Sequence, residues 1–153
     1  MKENKNNLEF TKCICTSIRK SSRNISNIYN SYLTKSGLTV NPNQVSILVA
    51  ISFLENALIS EISKNLSMER TTLLRNLNVM KNLGFIEICT AIGRRQKLVK
   101  LTLEGKDTLN KIYPYWKLAQ NKVEEVLGDD LKTFQINLKR MSTLDINATS
   151  KDV

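Results

Sequence analysis

The sequence predicts a mainly α-helical fold: a winged helix-turn-helix with a two-stranded β-wing. Three observations predict this class. Apolar residues recur at helical spacing over most of the 153 residues. Two short helical segments meet at a tight turn after residue 60. The apolar period then changes to two over residues 85–102, which is typical of a β-hairpin.

The first third of the chain predicts two helices. The first runs from Leu8 to about Tyr32 and is closed by Lys35-Ser36-Gly37. The second begins at Asn41-Pro42, because asparagine is a good N-cap and proline suits the first helical position. Its continuation, QVSILVAISFL, is apolar nearly all round, which indicates a helix buried at the centre of the domain.

The most informative stretch is SMERTTLLRNLNVMKNLGFI, from Ser67 to Ile86, which follows a short helix that begins at Ser60. We expect Ser67 to cap this second helix and Gly84 to end it. Its apolar stripe consists of Leu73, Leu77, Met80 and Leu83. Its opposite face carries Arg70, Thr71, Thr72, Leu74, Arg75 and Asn78.

That second face has the composition that reading of the DNA major groove requires. Arginine makes two hydrogen bonds to guanine, Thr and Asn bond to base edges, and apolar atoms contact the thymine methyl group. The alternative interpretation is an ordinary solvated surface helix. The sequence around the helix favours the first interpretation.

The β-hairpin carries positive charge at its tip. The tip sequence AIGRRQ contains Arg94 and Arg95, and a basic wing suits the electronegative minor groove beside a reading helix. After the hairpin, Thr102 is expected to cap a helix that runs to Leu127, with Pro114 kinking or dividing it. A last helix follows Gly128, and a polar tail begins at residue 145.

The charge of the chain favours a polyanionic partner. The formal net charge is +9, and residues 1–40 and 60–106 each contribute +5, whereas residues 107–153 are neutral. A basic domain with this distribution favours nucleic acid.

The composition argues against an enzyme. Histidine, the usual general base and a common metal ligand, does not occur, and three cysteines alone do not complete a four-ligand zinc site. We therefore predict no catalytic residues, no metal and no cofactor. The chain lacks a signal peptide and a membrane span, so we expect a cytoplasmic protein with no membrane partner.

The order of the elements and two motifs resemble the MarR family of winged-helix transcription regulators. RTTLLRNLNVMKNLGFI resembles the family's recognition helix, and GRRQKLVKLTLEG is similar to its Asp-Arg-Arg…Leu-Thr-x-x-Gly pattern. Gly93 stands where the family usually has aspartate, and Leu74 where a small polar residue is more usual. The wing between residues 89 and 97 is also short, so the alternative to a minor-groove contact is that Arg94 and Arg95 are more mobile or contact phosphate alone.

The resemblance implies one MarR-like domain over residues 1–153. Residues 41–102 would be the winged DNA-binding region, and residues 8–35 and 103–144 the dimerisation helices. The implied partners are double-stranded DNA, a second copy of the chain, and a small-molecule effector in the groove between the two regions. The apolar positions at both ends of the chain agree with dimerisation, although they could instead pack on the chain's own core.

Together these observations predict a sequence-specific DNA-binding transcription regulator that acts as a homodimer on an inverted-repeat operator. The predicted regulator is a repressor, released by a small-molecule or oxidant signal. The alternative is a winged-helix module used for protein or RNA contacts without operator specificity. A steep fall of affinity with salt would distinguish DNA binding from a protein interface.

The spacing of Cys15, Arg23 and Tyr29 resembles the organic hydroperoxide-sensing branch of the same family. In that branch a cysteine on the first helix is oxidised, and tyrosine hydroxyls hold its thiolate. Tyr29 falls at one such tyrosine position, whereas Arg19 replaces another. The resemblance makes Cys15 a candidate redox sensor; the alternative is a small buried apolar residue.

Overall fold

The structure, a computed structural model, describes residues 12–90 and 97–144. The predictions for Leu8 at the N-terminus, for the wing tip with Gly93, and for the tail after residue 144 lie outside these ranges. The helices are α1 (Ile14–Leu33), α2 (Pro42–Leu54), α3 (Ile59–Asn65), α4 (Arg70–Asn82), α5 (Leu103–Leu127) and α6 (Leu131–Ser142). The strands are β1 (Ala57–Leu58), β2 (Ile86–Thr90) and β3 (Lys97–Leu101). No helix of the described part is long and apolar enough to cross a membrane.

Helix α2 lies at the centre of the core, as its sequence predicts. A capping box sets its first residue: the Asn41 side chain accepts a hydrogen bond from the Gln44 amide, and the Gln44 side chain accepts one from the Asn41 amide, both at 3.0 Å. Ile47, Leu48 and Ile51 are buried, and α1, α3, α5 and the sheet pack around the helix.

Helices α3 and α4 form the helix-turn-helix, but neither begins where the sequence suggested. Helix α3 starts at Ile59 rather than after Ser60, because the Glu61 carboxylate accepts the Leu58 amide at 2.9 Å. Helix α4 starts at Arg70. Ser67 does not cap it, since its backbone is left-handed (φ 47°) and belongs to the connecting turn.

The sheet has three antiparallel strands in the order β1-β3-β2. In the wing itself, Ile86 lies opposite Leu101 and Thr90 opposite Lys97, so the two predicted strands are confirmed. The third strand, β1, pairs Ala57 with Val99 and joins the wing to the entrance of the helix-turn-helix. The sequence suggests a short strand at Leu58-Ile59, and the structure places this strand one residue earlier, at Ala57–Leu58.

The two C-terminal helices differ in how much the protomer buries them. Helix α5 begins after Thr102 as predicted, packs against α1 and α2, and is one continuous helix through Pro114. The suggested division at Pro114 is therefore wrong. A short 3-10 turn over Gly128–Asp130 leads into α6. None of the side chains of α6, all of which the structure describes, is buried within the protomer.

Candidate nucleic-acid interface

The buried face of α4 fixes the rotation of this helix against the domain. Leu73, Leu77 and Met80 are fully buried, which confirms most of the predicted stripe. Leu83 is 41% exposed, so its assignment to the stripe is wrong. The reason is local: the helix ends at Asn82, and Leu83 is the C-cap residue.

The face opposite the core is narrower than the sequence suggested. Successive helical residues turn by roughly 100°, so Thr71, Arg75 and Asn78 point directly away from the buried stripe. All three are exposed. Asn82 lies on the same ridge and is also exposed; the sequence reasoning missed it, although its spacing of four from Asn78 continues the ridge.

The remaining predicted contacts of α4 lie at the edges of that ridge. Arg70 is exposed at the first helical position. Thr72 is half-buried, and its carbonyl accepts the Asn76 side-chain amide at 2.9 Å. Leu74 is half-buried and packs against the core, which limits how much of its side chain faces outwards.

Glu69 organises the N-terminal end of α4. Its carboxylate accepts hydrogen bonds from the Thr71 amide at 2.8 Å, the Thr72 amide at 3.2 Å and the Thr71 hydroxyl. The Thr71 hydroxyl, together with the two amides, lowers the pKa of the Glu69 carboxyl. Glu69 is therefore the N-cap and also holds the side chain of a residue on the outward ridge.

The C-terminal end of α4 is closed by Gly84, as predicted. Gly84 has a left-handed backbone (φ 77°), its amide donates to the Lys81 carbonyl, and the next amide, of Phe85, donates to the Met80 carbonyl, both at 3.0 Å. This pair of bonds is a Schellman motif, which uses the left-handed freedom of glycine.

The wing consists of β2 and β3, which are paired along their described length. Thr90 and Lys97 are the last described residues of its strands, and both are exposed. Arg94 and Arg95 lie outside the described residues, so their assignment to DNA stays a prediction.

Helix α1 does not bring Cys15 and Tyr29 together within one chain. Fourteen residues separate them, which is about 21 Å along a helix. Cys15 is exposed in the single protomer. The Tyr29 hydroxyl donates to Gln120 of α5, and burial together with the nearby Glu124 charge raises the pKa of Tyr29.

An apolar groove of about 300 Å³ lies between α2 and α5. The α2 wall consists of Val45, Val49 and Phe53. The α5 wall consists of Leu109, Ile112, Tyr113 and Trp116. Tyr113 and Trp116 stack with ring centroids 6.1 Å apart, and Phe53 is 83% exposed at the rim.

No protein-family model and no curated protein sequence matches the chain. Solved structures do. The Mycobacterium tuberculosis transcriptional regulator MosR is 31% identical over 87% of this chain and 97% of its own, with a TM-score of 0.74. A mutant form of Escherichia coli MarR, solved with operator DNA, is 22% identical over 84% of this chain and 92% of its own (TM-score 0.75). The repressor CouR, solved with a 23-mer DNA duplex, is 16% identical over 89% of this chain and 96% of its own (TM-score 0.76).

The helix-turn-helix, the wing and the long flanking helices define a winged-helix transcription regulator. The chain belongs to the MarR family of these regulators.

Proposed function

We propose that the protein is a sequence-specific DNA-binding transcription regulator that acts as a homodimer on an inverted-repeat operator. The observation that carries the proposal is the outward ridge of α4, with Thr71, Arg75 and Asn78 exposed opposite a fully buried stripe. A helix fixed in this way presents donors and acceptors to base edges at a defined angle. MosR has also been solved in complex with DNA, at 32% identity to this chain.

Dimerisation is supported by apolar side chains that the protomer leaves exposed on its terminal helices. On α1 these include Ile14 and Ile18, and on α5 Leu118 and Val126. On α6 they are Phe134, Ile136, Leu138 and Met141. A second copy would bury these surfaces, so we assign residues 8–35 and 103–144 to dimerisation and residues 41–102 to DNA binding, within one domain over 1–153. Contiguous exposed apolar surface is a feature of protein interfaces, and this motivates the assignment.

We further propose that the regulator is a repressor that a signal releases from DNA. One candidate signal is a small apolar molecule in the groove between α2 and α5, which joins the proposed DNA-binding and dimerisation regions. Its volume lies at the small end of the range for ligand sites. DNA binding of Bordetella bronchiseptica BpsR is regulated by 6-hydroxynicotinic acid, and Rhodococcus jostii CouR has been solved with p-coumaroyl-CoA.

The other candidate signal is an oxidant that acts on Cys15. Its thiol is exposed on the first turn of α1, beside apolar residues that the proposed dimer would cover. Oxidation there would introduce a polar group at the dimer surface and shift the two reading helices. The test is operator binding before and after mild hydroperoxide, in wild type and in Cys15→Ser. Release of the operator by wild type but not by Cys15→Ser supports Cys15 as the switch. Release that persists in Cys15→Ser, or no release in wild type, excludes it as the switch.

The reading function is tested by two substitutions at Arg75. Arg75→Ala should relax base preference, at a cost of roughly 1–3 kcal/mol for one base pair in each half-site. Arg75→Lys keeps the charge but loses the two-pronged hydrogen bonding to guanine, so it should relax the same position with a smaller change in the salt dependence.

The measurement is affinity for a panel of single-base operator variants at several salt concentrations. If both variants keep the wild-type base profile, Arg75 does not read a base. If wild type itself shows no preference among duplexes, the winged-helix module without operator specificity is the better account.

A further inference from the structure

The chain leaves α4 through a junction that ties it directly to the first turn of α5. After the Schellman motif, the carbonyl groups of Gly84 and Phe85 face the Thr102–Gly105 turn. The Thr102 hydroxyl donates to the Gly84 carbonyl at 2.6 Å, and the Thr102 amide donates to the Phe85 carbonyl at 3.1 Å. These bonds join residues on either side of the wing.

The same hydroxyl also caps α5. Its oxygen accepts the Gly105 amide at 3.0 Å, so one side chain closes the start of α5 and holds the end of α4. A serine or threonine can do both, because a hydroxyl donates one hydrogen bond and accepts others.

Gly105 allows the two backbones to approach this closely. A Cβ atom added there would lie 2.0 Å from the Phe85 carbonyl oxygen and 3.0 Å from its carbon. Gly105 is buried, and backbone atoms cannot move aside as the end of a flexible side chain can. The junction therefore has no room for any side chain at position 105.

The junction differs in kind from the rest of the α4 contacts. Leu73, Leu77 and Met80 hold α4 by apolar packing, which is non-directional. The Thr102 bonds are directional and involve the backbone at the end of the reading helix. Helix α5 meanwhile extends for 25 residues into the proposed dimerisation region.

We infer that Thr102 and Gly105 are positioning residues that fix the angle of the reading helix to α5, so that the two move as one body. This inference rests on the proposed DNA-binding function. In the dimer, the arrangement of the two α5 helices would then set the distance between the two reading helices, and a sharp preference for one half-site spacing would follow.

Three substitutions at Thr102 separate the hydrogen bond to the Gly84 carbonyl from the bond that caps α5. Thr102→Ser keeps the hydroxyl and both of its hydrogen bonds. Thr102→Asp keeps a capping acceptor, but an ionised carboxylate has no proton to donate to the Gly84 carbonyl. Thr102→Val removes both bonds.

The first measurement is affinity for operators whose half-sites are separated by the selected spacing or by one or two base pairs more or fewer. Wild type and Thr102→Ser should discriminate sharply among spacings. Thr102→Asp and Thr102→Val should both lose about three- to tenfold of that discrimination, the equivalent of one hydrogen bond. Each profile is the ratio of one variant's affinities for operators of different spacing. The general effect of aspartate's negative charge on affinity therefore cancels. A wild-type profile in Thr102→Asp would overturn the inference, since the residue would then act only as a helix cap.

The second measurement needs no DNA. Spin labels are placed at the exposed positions Lys81 of α4 and Lys111 of α5, with the three cysteines replaced by serine and labelled chains diluted into unlabelled protein. Wild type and Thr102→Ser should give one narrow distance, and Thr102→Asp and Thr102→Val a broader or shifted one. Equal distance distributions in all four proteins would refute the role of Thr102 in fixing α4 to α5, even if the protein binds DNA as proposed. The opposite outcome would refute the proposed function alone. In that outcome the distance is narrow in wild type and broadens in Thr102→Asp, but the protein shows no operator preference.

Discussion

Thr108 lies on α5 in the core, where its hydroxyl is fully buried and makes no hydrogen bond within the part of the chain that the structure describes. A buried polar atom without a partner costs free energy, because it has given up its bonds to water. The sequence alone does not reveal this, since threonine is ordinary on a helix and its burial depends on how α5 packs.

Thr108→Val should therefore stabilise the protein. Valine has nearly the same shape and no polar atom, so we expect the free energy of unfolding to rise by about 1 kcal/mol. Chemical denaturation measures it. Thr102→Val is the matched control: the same substitution removes a hydroxyl that makes two bonds, and it should lower the free energy of unfolding. A loss of stability in Thr108→Val would mean that the hydroxyl has a partner.

Glu69 provides a pH-dependent contact at the tip of the reading helix. Hydrogen bonds from Thr71 and Thr72 lower the pKa of its carboxyl below the ordinary value of 4.5. A carboxyl whose pKa is lower in the folded state stabilises that state above its unfolded pKa, and this contribution is lost as the pH falls through the folded pKa.

We expect the amide resonances of Thr71 and Thr72 to titrate together in an NMR pH series, with a midpoint below 4.5. Glu69→Gln should abolish this titration, because glutamine keeps an acceptor oxygen but carries no ionisable proton in this range. A midpoint at or above the ordinary glutamate value would contradict the capping geometry.

At the scale of the elements, apolar periodicity was a good guide to which segments are helices and strands. The alternation in the wing and the all-round apolar character of α2 are local patterns that survive in the fold. Helix starts were less predictable. Ser67 and Ser60 have good capping side chains, but the helices begin elsewhere, because the backbone of the turn decides which residue is extended.

The residues of the reading face could also be predicted only in part. Helical spacing identified Arg75 and Asn78, but Leu74 packs partly against the core, and Asn82 extends the ridge. Which edge of a helix turns inward depends on its neighbours in space. The sequence also does not show that β1 pairs with β3, because the paired residues are about 40 positions apart and β1 has only two residues.

The wing is expected to contact the phosphate backbone through its arginines. Arg94→Ala and Arg95→Ala should each weaken binding to all sequences about equally and reduce the slope of log affinity against log salt by about 1. Arg75→Ala, by comparison, should change the ranking of sequences. An unchanged salt slope in both wing variants would show that the wing does not bind DNA.

For the whole molecule, the terminal helices and the reading region are proposed to bind different partners. Exposed apolar side chains occur on α1, α5 and α6, and residues 60–106, with the reading helix and the wing, carry a net charge of +5, as residues 1–40 also do. A dimer formed through the terminal helices would leave both reading helices free and related by a two-fold axis. Two such helices would enter successive major grooves on one side of the duplex, about 34–36 Å apart.

The proposed binding of a homodimer to an inverted repeat can be tested by selecting duplexes from a randomised library with the whole protein, sequencing them, and measuring the mass of the complex on the best one. We predict an inverted repeat with half-site centres about 10–10.5 base pairs apart, or a multiple of this, bound by two protomers. Enrichment of only asymmetric, unrepeated sites, or no enrichment at all, would contradict it.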